Sequence, residues 1–436
     1  MIRPISQPSQ AAIVAGLRTP FAKMGTALRE VHVTELARSA MQEVLYRTGW
    51  EAGTLDEVIL GNVVMPADAT NPARVAALYA GIPDHVPALT VQRNCASGME
   101  AVWQAAMRIT TGDARAVMAG GAESMSTIPL ILPTETLEVA GSFMKAKSPA
   151  GKLGALTSVR PRHLRAKAGL EMGLTDPVSG LIMGKTGEKL AHEFGISRSE
   201  QDAFALRSHQ RAVEAAKAGK FDEQIVPVYA GDRFEAVTTD VGPRADQSLE
   251  ALANLKPVFD RRDGTITVGN ACQVTDGAAA MLVADADAAR AEGLEPLGYV
   301  RAYTTAGVDP SRMGLGPVFA IDKLLRKTGL NLDDVDLLEI NEAFAAQVLA
   351  CLKAMASEAY CREHLNRDKA IGEVDPERLN VNGGAIALGH PVGATGARLV
   401  LNLLLEMQRR DLETGVAALC VGGGQGAAIL LTRSRS

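Results

Sequence analysis

Glu57-Val58-Ile59-Leu60-Gly61-Asn62, a short apolar run closed by glycine and asparagine, has a counterpart near the other end of the chain in Asp336-Leu337-Leu338-Glu339-Ile340-Asn341. Laid on each other, the two stretches set Asn62 opposite Asn341. A second pair follows in the same order, Ala114-Arg115-Ala116-Val117-Met118-Ala119-Gly120-Gly121 against Val416-Ala417-Ala418-Leu419-Cys420-Val421-Gly422-Gly423. Short apolar runs bounded by turn residues read as buried strands, and a repeat of this kind points to a duplicated βα unit with a site between the copies. The second match also fits ordinary strand-to-turn punctuation, in which Gly-Gly simply follows an apolar run.

Working outward, Ala11-Ala12-Ile13-Val14-Ala15 reads as an opening strand, and later apolar runs alternate with Ala/Leu-rich helical patterns, as expected of α/β layers. At 436 residues the chain exceeds the size of a single core, so two or three domains are expected. The expected division is an N-terminal half over 1–122, completed by part of 240–272, an inserted domain over 123–265 and a C-terminal half over 266–436. Within the insert, Ser197 and Glu200 stand at capping-box spacing ahead of a helical stretch to Lys220, so the insert reads as mostly helix and loop. It also holds Lys145, Lys147, Lys152, Arg160, Arg162, Arg165 and Lys167 with no acidic residue between Met144 and Gly169.

Composition narrows the function classes. The 45 basic residues against 50 acidic ones argue against a general nucleic-acid binder and leave only local basic patches to consider. Five cysteines with no C-x-x-C or Cys/His cluster point away from a zinc site and a disulfide framework, toward free thiols in a reducing compartment. The stretch Met1 to Gln10 lacks an apolar signal core and no long apolar span follows, so a cytoplasmic protein, or a matrix enzyme after processing, is expected.

Four residues with unusual settings carry the chemistry. Cys95, in Asn94-Cys95-Ala96-Ser97-Gly98, follows a strand-like run and precedes a helical one, a turn where backbone N–H groups and the helix dipole favour an anion. An unperturbed thiol titrates at about 8.5 and needs such help, or a base, to act as a nucleophile at neutral pH. His390 sits between glycines in Gly389-His390-Pro391-Val392-Gly393, a frame that fixes an imidazole while letting a bulky ligand approach the backbone. Cys420 ends an apolar run at Gly422-Gly423-Gly424, whose N–H groups can face a developing oxyanion. That run lacks the Lys-Ser/Thr of a phosphate loop. Asn341, ahead of Glu342-Ala343-Phe344, taken alone is an ordinary helix cap.

Together with Gly269-Asn270-Ala271, these motifs and their order resemble the thiolase family over nearly the whole chain, from Gly16-Leu17-Arg18-Thr19-Pro20-Phe21 to the C-terminal glycine run. The resemblance implies a duplicated fold layered α-β-α-β-α. It implies that Cys95 accepts the acyl group, that His390 activates it, and that Cys420 handles the proton at the α-carbon of acetyl-CoA. Asn341, through water, and His390 would form one oxyanion site, and the N–H groups of Cys95 and Gly422 the other. Ile182, Met183, Cys272, Ala343 and Phe344 would contact substrate, although Cys272-Gln273 stands where many members have Ser-Gly.

The activity so implied is cleavage of a 3-ketoacyl-CoA by CoA in fatty-acid β-oxidation, with acetoacetyl-CoA condensation as the alternative. A non-catalytic thiolase-like carrier or structural subunit is the reading from another class, and it predicts the loss of at least one of Cys95, His390 and Cys420. Acyl-CoA and CoA are the expected ligands, with no metal or further cofactor and no nucleic acid. Relatives suggest a homodimer or dimer of dimers, and the basic insert, 145–167, suggests an α-subunit with hydratase and dehydrogenase activities or a peripheral membrane contact.

Overall fold

The structure is a computed structural model describing residues 9–435; most of the polar N-terminal stretch from Met1 to Gln10 lies outside the described residues. The strands that position the site are β1 (Ala11–Arg18), β2 (Glu57–Gly61), β3 (Ala88–Val91), β4 (Ala116–Glu123), β5 (Thr275–Asp285), β6 (Gly298–Gly307), β7 (Leu337–Ile340), β8 (Thr414–Val421) and β9 (Gln425–Thr432). They belong to one ten-stranded sheet in the order β7-β8-β9-β6-β1-β5-β4-β2-β3, with Ala22–Lys23 appended to β5.

The order repeats outward from the centre. In the N-terminal half β2 runs parallel to β4, which pairs antiparallel with β5, itself antiparallel to β1. In the C-terminal half β7 runs parallel to β8, β8 antiparallel to β9, and β9 antiparallel to β6. The halves meet where Ala12 and Ile13 of β1 pair with Tyr299 and Gly298 of β6. Strand β5 lies beyond residue 266, the expected start of the C-terminal half, yet it runs between β1 and β4 and completes the N-terminal half.

Apolar faces on both sides of the sheet require helices on both sides, and these give the layers. Helices α1 (Val33–Thr48) and α2 (Pro72–Tyr79) cover the outer face of the N-terminal half in one apolar cluster. Helices α3 (Ser97–Thr110) and α10 (Val392–Arg410) share a second cluster with inward residues of both halves, including Met281 and Leu419. A third cluster joins the outer face of the C-terminal half to α8 (Gly316–Thr328) and α9 (Ala345–Ala356). The expected layered, duplicated α/β fold is the one observed. Every residue of β4 is buried, as expected of a strand covered on both faces.

The insert carries α4 (Thr134–Lys145), α5 (Pro149–Thr157), α6 (Met183–Glu193) and α7 (Arg198–Lys217). The capping box forms as expected: Ser197 N–H donates to Glu200 Oε2 at 2.7 Å and Glu200 N–H to Ser197 Oγ at 3.2 Å. It starts a single helix of 20 residues.

The duplication corrects both sequence matches, the first by one residue and the second by four. Asp56 and Asp336 occupy equivalent places, because each donates its N–H to a strand carbonyl, that of Ala116 or of Thr414. Asp56 Oδ2 also accepts N–H bonds from Arg115 and Ala116, and Asp336 Oδ2 from Glu413 and Thr414. Ala116 therefore stands opposite Thr414, Ala122 opposite Cys420 and Glu123 opposite Val421, four residues away from the Gly-Gly match. Asn62 and Asn341 each lie one residue past their strands, but the same register pairs Glu57 with Leu337 and sets Asn341 opposite Gly61, one residue away from the Asn62 match.

Candidate active site

Equivalent turns in the two halves deliver the two groups expected to exchange a proton. Cys95 lies two residues before α3 and His390 two residues before α10. The residue ahead of each takes positive φ, 42° at Asn94 and 99° at Gly389, which turns the chain sharply from the strand layer into the central helices. Asparagine tolerates this conformation, and Asn94 Nδ2 also donates to Gly422 O at 2.8 Å, tying the Cys95 turn to the glycine run.

Cys95, Cys272, His390 and Cys420 line one cavity of about 480 Å³, together with Met183, Ala343, Phe344 and Gly422. Asn341 and Ile182 do not line it. Asn341 is buried behind it, and neither polar atom of its side-chain amide has a protein partner. A buried amide in that state is suited to bonding through an intervening water. Ile182 caps the start of α6, so its neighbour Met183 reaches the cavity instead. Asn270 is structural. Its Oδ1 accepts the Thr267 N–H at 2.8 Å and its Nδ2 donates to Asp202 Oδ1 at 2.9 Å.

The hydrogen bonds around His390 assign its tautomer. Nδ1 lies 2.7 Å from Thr395 Oγ1, and that hydroxyl donates its proton to Pro391 O at 3.0 Å. With its own proton so engaged, Thr395 Oγ1 must accept, so Nδ1 carries the ring proton and Nε2 keeps a lone pair. Nε2 is buried with no protein partner, as a base requires. Burial, with the nearby Arg398 charge, lowers the His390 pKa to about 3, so the resting ring is neutral.

The setting of Cys95 differs from the sequence expectation of a thiolate favoured by the helix start. Burial pushes the thiol above its ordinary value and the Glu123 charge pushes it further, against the N–H groups of Gly422 and of Cys95 itself, which pull it down. Desolvation outweighs the helix N-terminus, and the resting sulfur is a thiol. Cys420 is raised well above the usual range, by burial first, and Cys272 is pushed up to about 12 by burial and by Cys95.

Several cavity residues had no motif to betray them. The wall includes Val63 and Val64, Met125, Met313 and the insert segment 169–178, all brought in by long-range packing. Thr395 carried a weak signal, a hydroxyl in the first turn of the helix that follows the histidine. Among the described residues, no group of three or more His, Cys, Asp or Glu could hold a metal, and no helix is long and apolar enough to cross a membrane.

The model of the "Thiolase, N-terminal domain" matches residues 11–287, and that of the "Thiolase, C-terminal domain" matches residues 294–433. The acetyl-CoA acetyltransferase of Pseudomonas aeruginosa is 42% identical, over 97% of this chain and 98% of its own length. A 3-ketoacyl-CoA thiolase of Yersinia pestis is 40% identical, over 98% of this chain and 97% of its own. The crystal structure of the Bacillus anthracis acetyl-CoA acetyltransferase superposes with a TM-score of 0.85 at 41% identity, covering 98% of this chain and 99% of that one.

Proposed function

This chain belongs to the thiolase family of acyltransferases, and on that premise we propose that it cleaves 3-ketoacyl-CoA with CoA, giving acetyl-CoA and a shortened acyl-CoA. The observation that carries the degradative reading is the cavity wall. Around Cys95 it is formed mainly by apolar side chains, among them Ile128, Leu170, Met172, Leu174, Val178 and Met313, suited to a hydrocarbon chain.

In this reading His390 Nε2 takes the Cys95 proton as the sulfur attacks the keto carbon. Breaking the Cα–Cβ bond leaves Cys95 as an acyl thioester and releases the acetyl-CoA enolate, whose carbon takes the proton of Cys420. CoA then enters, and its thiol proton returns to Cys420 as its sulfur attacks the thioester. Cys95 leaves as thiolate and recovers its proton from His390. Negative charge develops on two different oxygens, so two donor sites are needed. The N–H groups of Cys95 and Gly422 supply one, and His390 with Asn341 through water the other. CoA is a substrate in this scheme, and no step calls for a metal or redox group.

A thiolysis assay comparing acetoacetyl-CoA with a long-chain 3-ketoacyl-CoA tests the reading. The expected result is a higher kcat/KM for the long chain. A clear preference for acetoacetyl-CoA would assign the protein to acetyl transfer between short substrates, with condensation as its direction.

The insert supports a second reading, docking. All seven cations between Lys145 and Lys167 are exposed, and none of them forms an ion pair among the described residues. Leu137, Met144, Leu153, Leu156 and Leu164 are exposed on the same segment, α4 has no buried residue and α5 only Ala155. Cations mixed with exposed leucines suit an anionic membrane surface or an acidic partner subunit, and such binding weakens with salt. Charge reversal at Arg160, Arg162 and Arg165 should leave thiolysis of a short soluble substrate near normal and reduce binding to anionic vesicles or to an α-subunit. A raised KM for CoA with both binding assays unchanged would assign the cations to the phosphates of CoA instead. A homodimer or dimer of dimers is the assembly proposed from the resemblance, to be read by light scattering.

A further inference from the structure

Glu123, the last residue of β4, is fully buried, and four donors converge on it. Oε1 accepts from Asn62 Nδ2 at 3.0 Å and from Val64 N–H at 3.1 Å; Oε2 accepts from Val63 N–H at 3.1 Å and from Gly393 N–H at 3.0 Å. Val63 and Val64 belong to the cavity wall, whereas Gly393 lies in the first turn of α10, three residues after His390. No Lys, Arg or His pairs with this carboxylate among the described residues. Both oxygens are filled by donors, so the site fits an acceptor-only group, and a carboxylate is the one side chain that offers two such oxygens.

The packing around Glu123 has been cleared for this contact. A Cβ on Gly393 would lie 2.5 Å from Ala122 O and 3.0 Å from Glu123 Oε2, and one on Gly121 would lie 1.9 Å from Gly393 O. Two glycines facing each other let the start of α10 approach the end of β4 closely enough for one carboxylate to bridge them. Among the titratable groups on the packed elements, Asp276 directly precedes Gly277, the β5 residue paired with Glu123, Cys95 stands ahead of α3 and His390 ahead of α10.

We propose that Glu123 is a positioning residue for acyl transfer: it fixes the start of α10, and so His390, against the Val63–Val64 wall, and its carboxylate lies behind the wall that those two residues share with Cys95, where its charge opposes a thiolate. The proposal rests on the thiolase reading for its catalytic part, and its electrostatic part stands on the Val63 and Val64 N–H bonds that set the carboxylate behind the wall of the Cys95 cavity. Burial raises the Glu123 carboxyl to about 7 against the pull of its hydrogen bonds, and its charge is among the causes that raise Cys95.

The test uses Glu123→Gln, which removes the charge, and Glu123→Asp, which keeps the charge but shortens the reach. The rate of Cys95 alkylation by iodoacetamide is followed against pH by peptide mass spectrometry, without substrate. The charge role predicts that the alkylation midpoint falls by about one pH unit in Glu123→Gln and stays put in Glu123→Asp. The positioning role predicts a kcat for thiolysis roughly tenfold or more lower in both variants with KM within about twofold. An unmoved midpoint in Glu123→Gln overturns the charge role, and a wild-type kcat in both variants overturns positioning. Should Glu123→Gln fail to fold, Glu123→Asp decides: lower kcat at an unmoved midpoint supports the proposal, and wild-type kcat overturns it. If the wild-type protein shows no thiolysis, the functional reading fails, while the alkylation profiles still report on the Glu123 charge.

Discussion

The N-terminal and C-terminal halves share one topology, and at the positions nearest the cavity they have diverged in opposite directions. Cys95 ahead of α3 is matched by His390 ahead of α10, so one duplicated turn presents a sulfur and the other an imidazole. Just past the end of β2 the Asn62 amide nitrogen is bonded to Ala122 O and to Glu123, whereas just past the end of β7 Asn341 has no protein partner on either amide atom. Ala122 and Glu123 at the end of β4 take the places that Cys420 and Val421 hold at the end of β8. The Asn62 amide nitrogen is thus satisfied internally, whereas both polar atoms of the Asn341 amide are left available. A buried amide with neither polar atom partnered costs stability, so its retention at Asn341 points to use by a ligand.

The largest expected effects break the comparison at its centre. Cys95→Ser should lose turnover by roughly three orders of magnitude or more, and a 3-ketoacyl-CoA should leave its acyl group on Cys95 of the wild-type protein, read by mass spectrometry. Labelling confined to Cys272 or Cys420 would sink the assignment. Next in size, His390→Ala and Cys420→Ala should each cost on the order of a hundredfold to ten-thousandfold in thiolysis, but at different steps. His390→Ala should slow acylation itself. Cys420→Ala should still be acylated and should fail to exchange the methyl protons of acetyl-CoA with deuterium from solvent; normal exchange would remove Cys420 from the mechanism.

The smallest effect sharpens the comparison away from the chemistry. Asp56 and Asp336 perform the same structural task in the two halves, each accepting two backbone N–H groups at the start of a strand. Asp56→Ala and Asp336→Ala should therefore each lower stability by about 1–2 kcal/mol in denaturant unfolding while kcat stays near wild type. A large loss of activity from only one of them would mean that the halves differ in more than the ends of their strands.

Much of the fold was legible because its strands are short apolar runs bounded by turn residues, and the repeat of β2 in β7 is visible in the letters themselves. The misplaced second match shows where letters fail. Gly120 and Gly121 lie inside β4, where a Cβ would meet Ala279 O at 2.1 Å or Gly393 O at 1.9 Å, so they serve close approach. Gly423 and Gly424 form the turn between β8 and β9 with φ of 84° and 80°, so they serve a backbone conformation. The same dipeptide answers two different physical needs, and only one of them is local. Cys272 was legible as a departure from the family pattern, yet its place beside Cys95 in the cavity depends on the bridge between Ala271 and Phe344, far along the chain.

By itself, then, the sequence determined the chemistry available to this protein: two thiols and an imidazole framed by glycines, an asparagine past a strand end, and a duplicated α/β scaffold. Side-chain type and local backbone freedom are written residue by residue, and so they can be read that way. Only the tertiary structure decided how those groups behave. The neutral His390 with Nε2 free follows from Thr395 and from burial, the thiol form of Cys95 follows from desolvation outweighing a helix N-terminus, and the bond from Gly393 to Glu123 spans 270 residues. Protonation and position in a buried site are set by what surrounds a group in space, and most of those neighbours are distant in the chain.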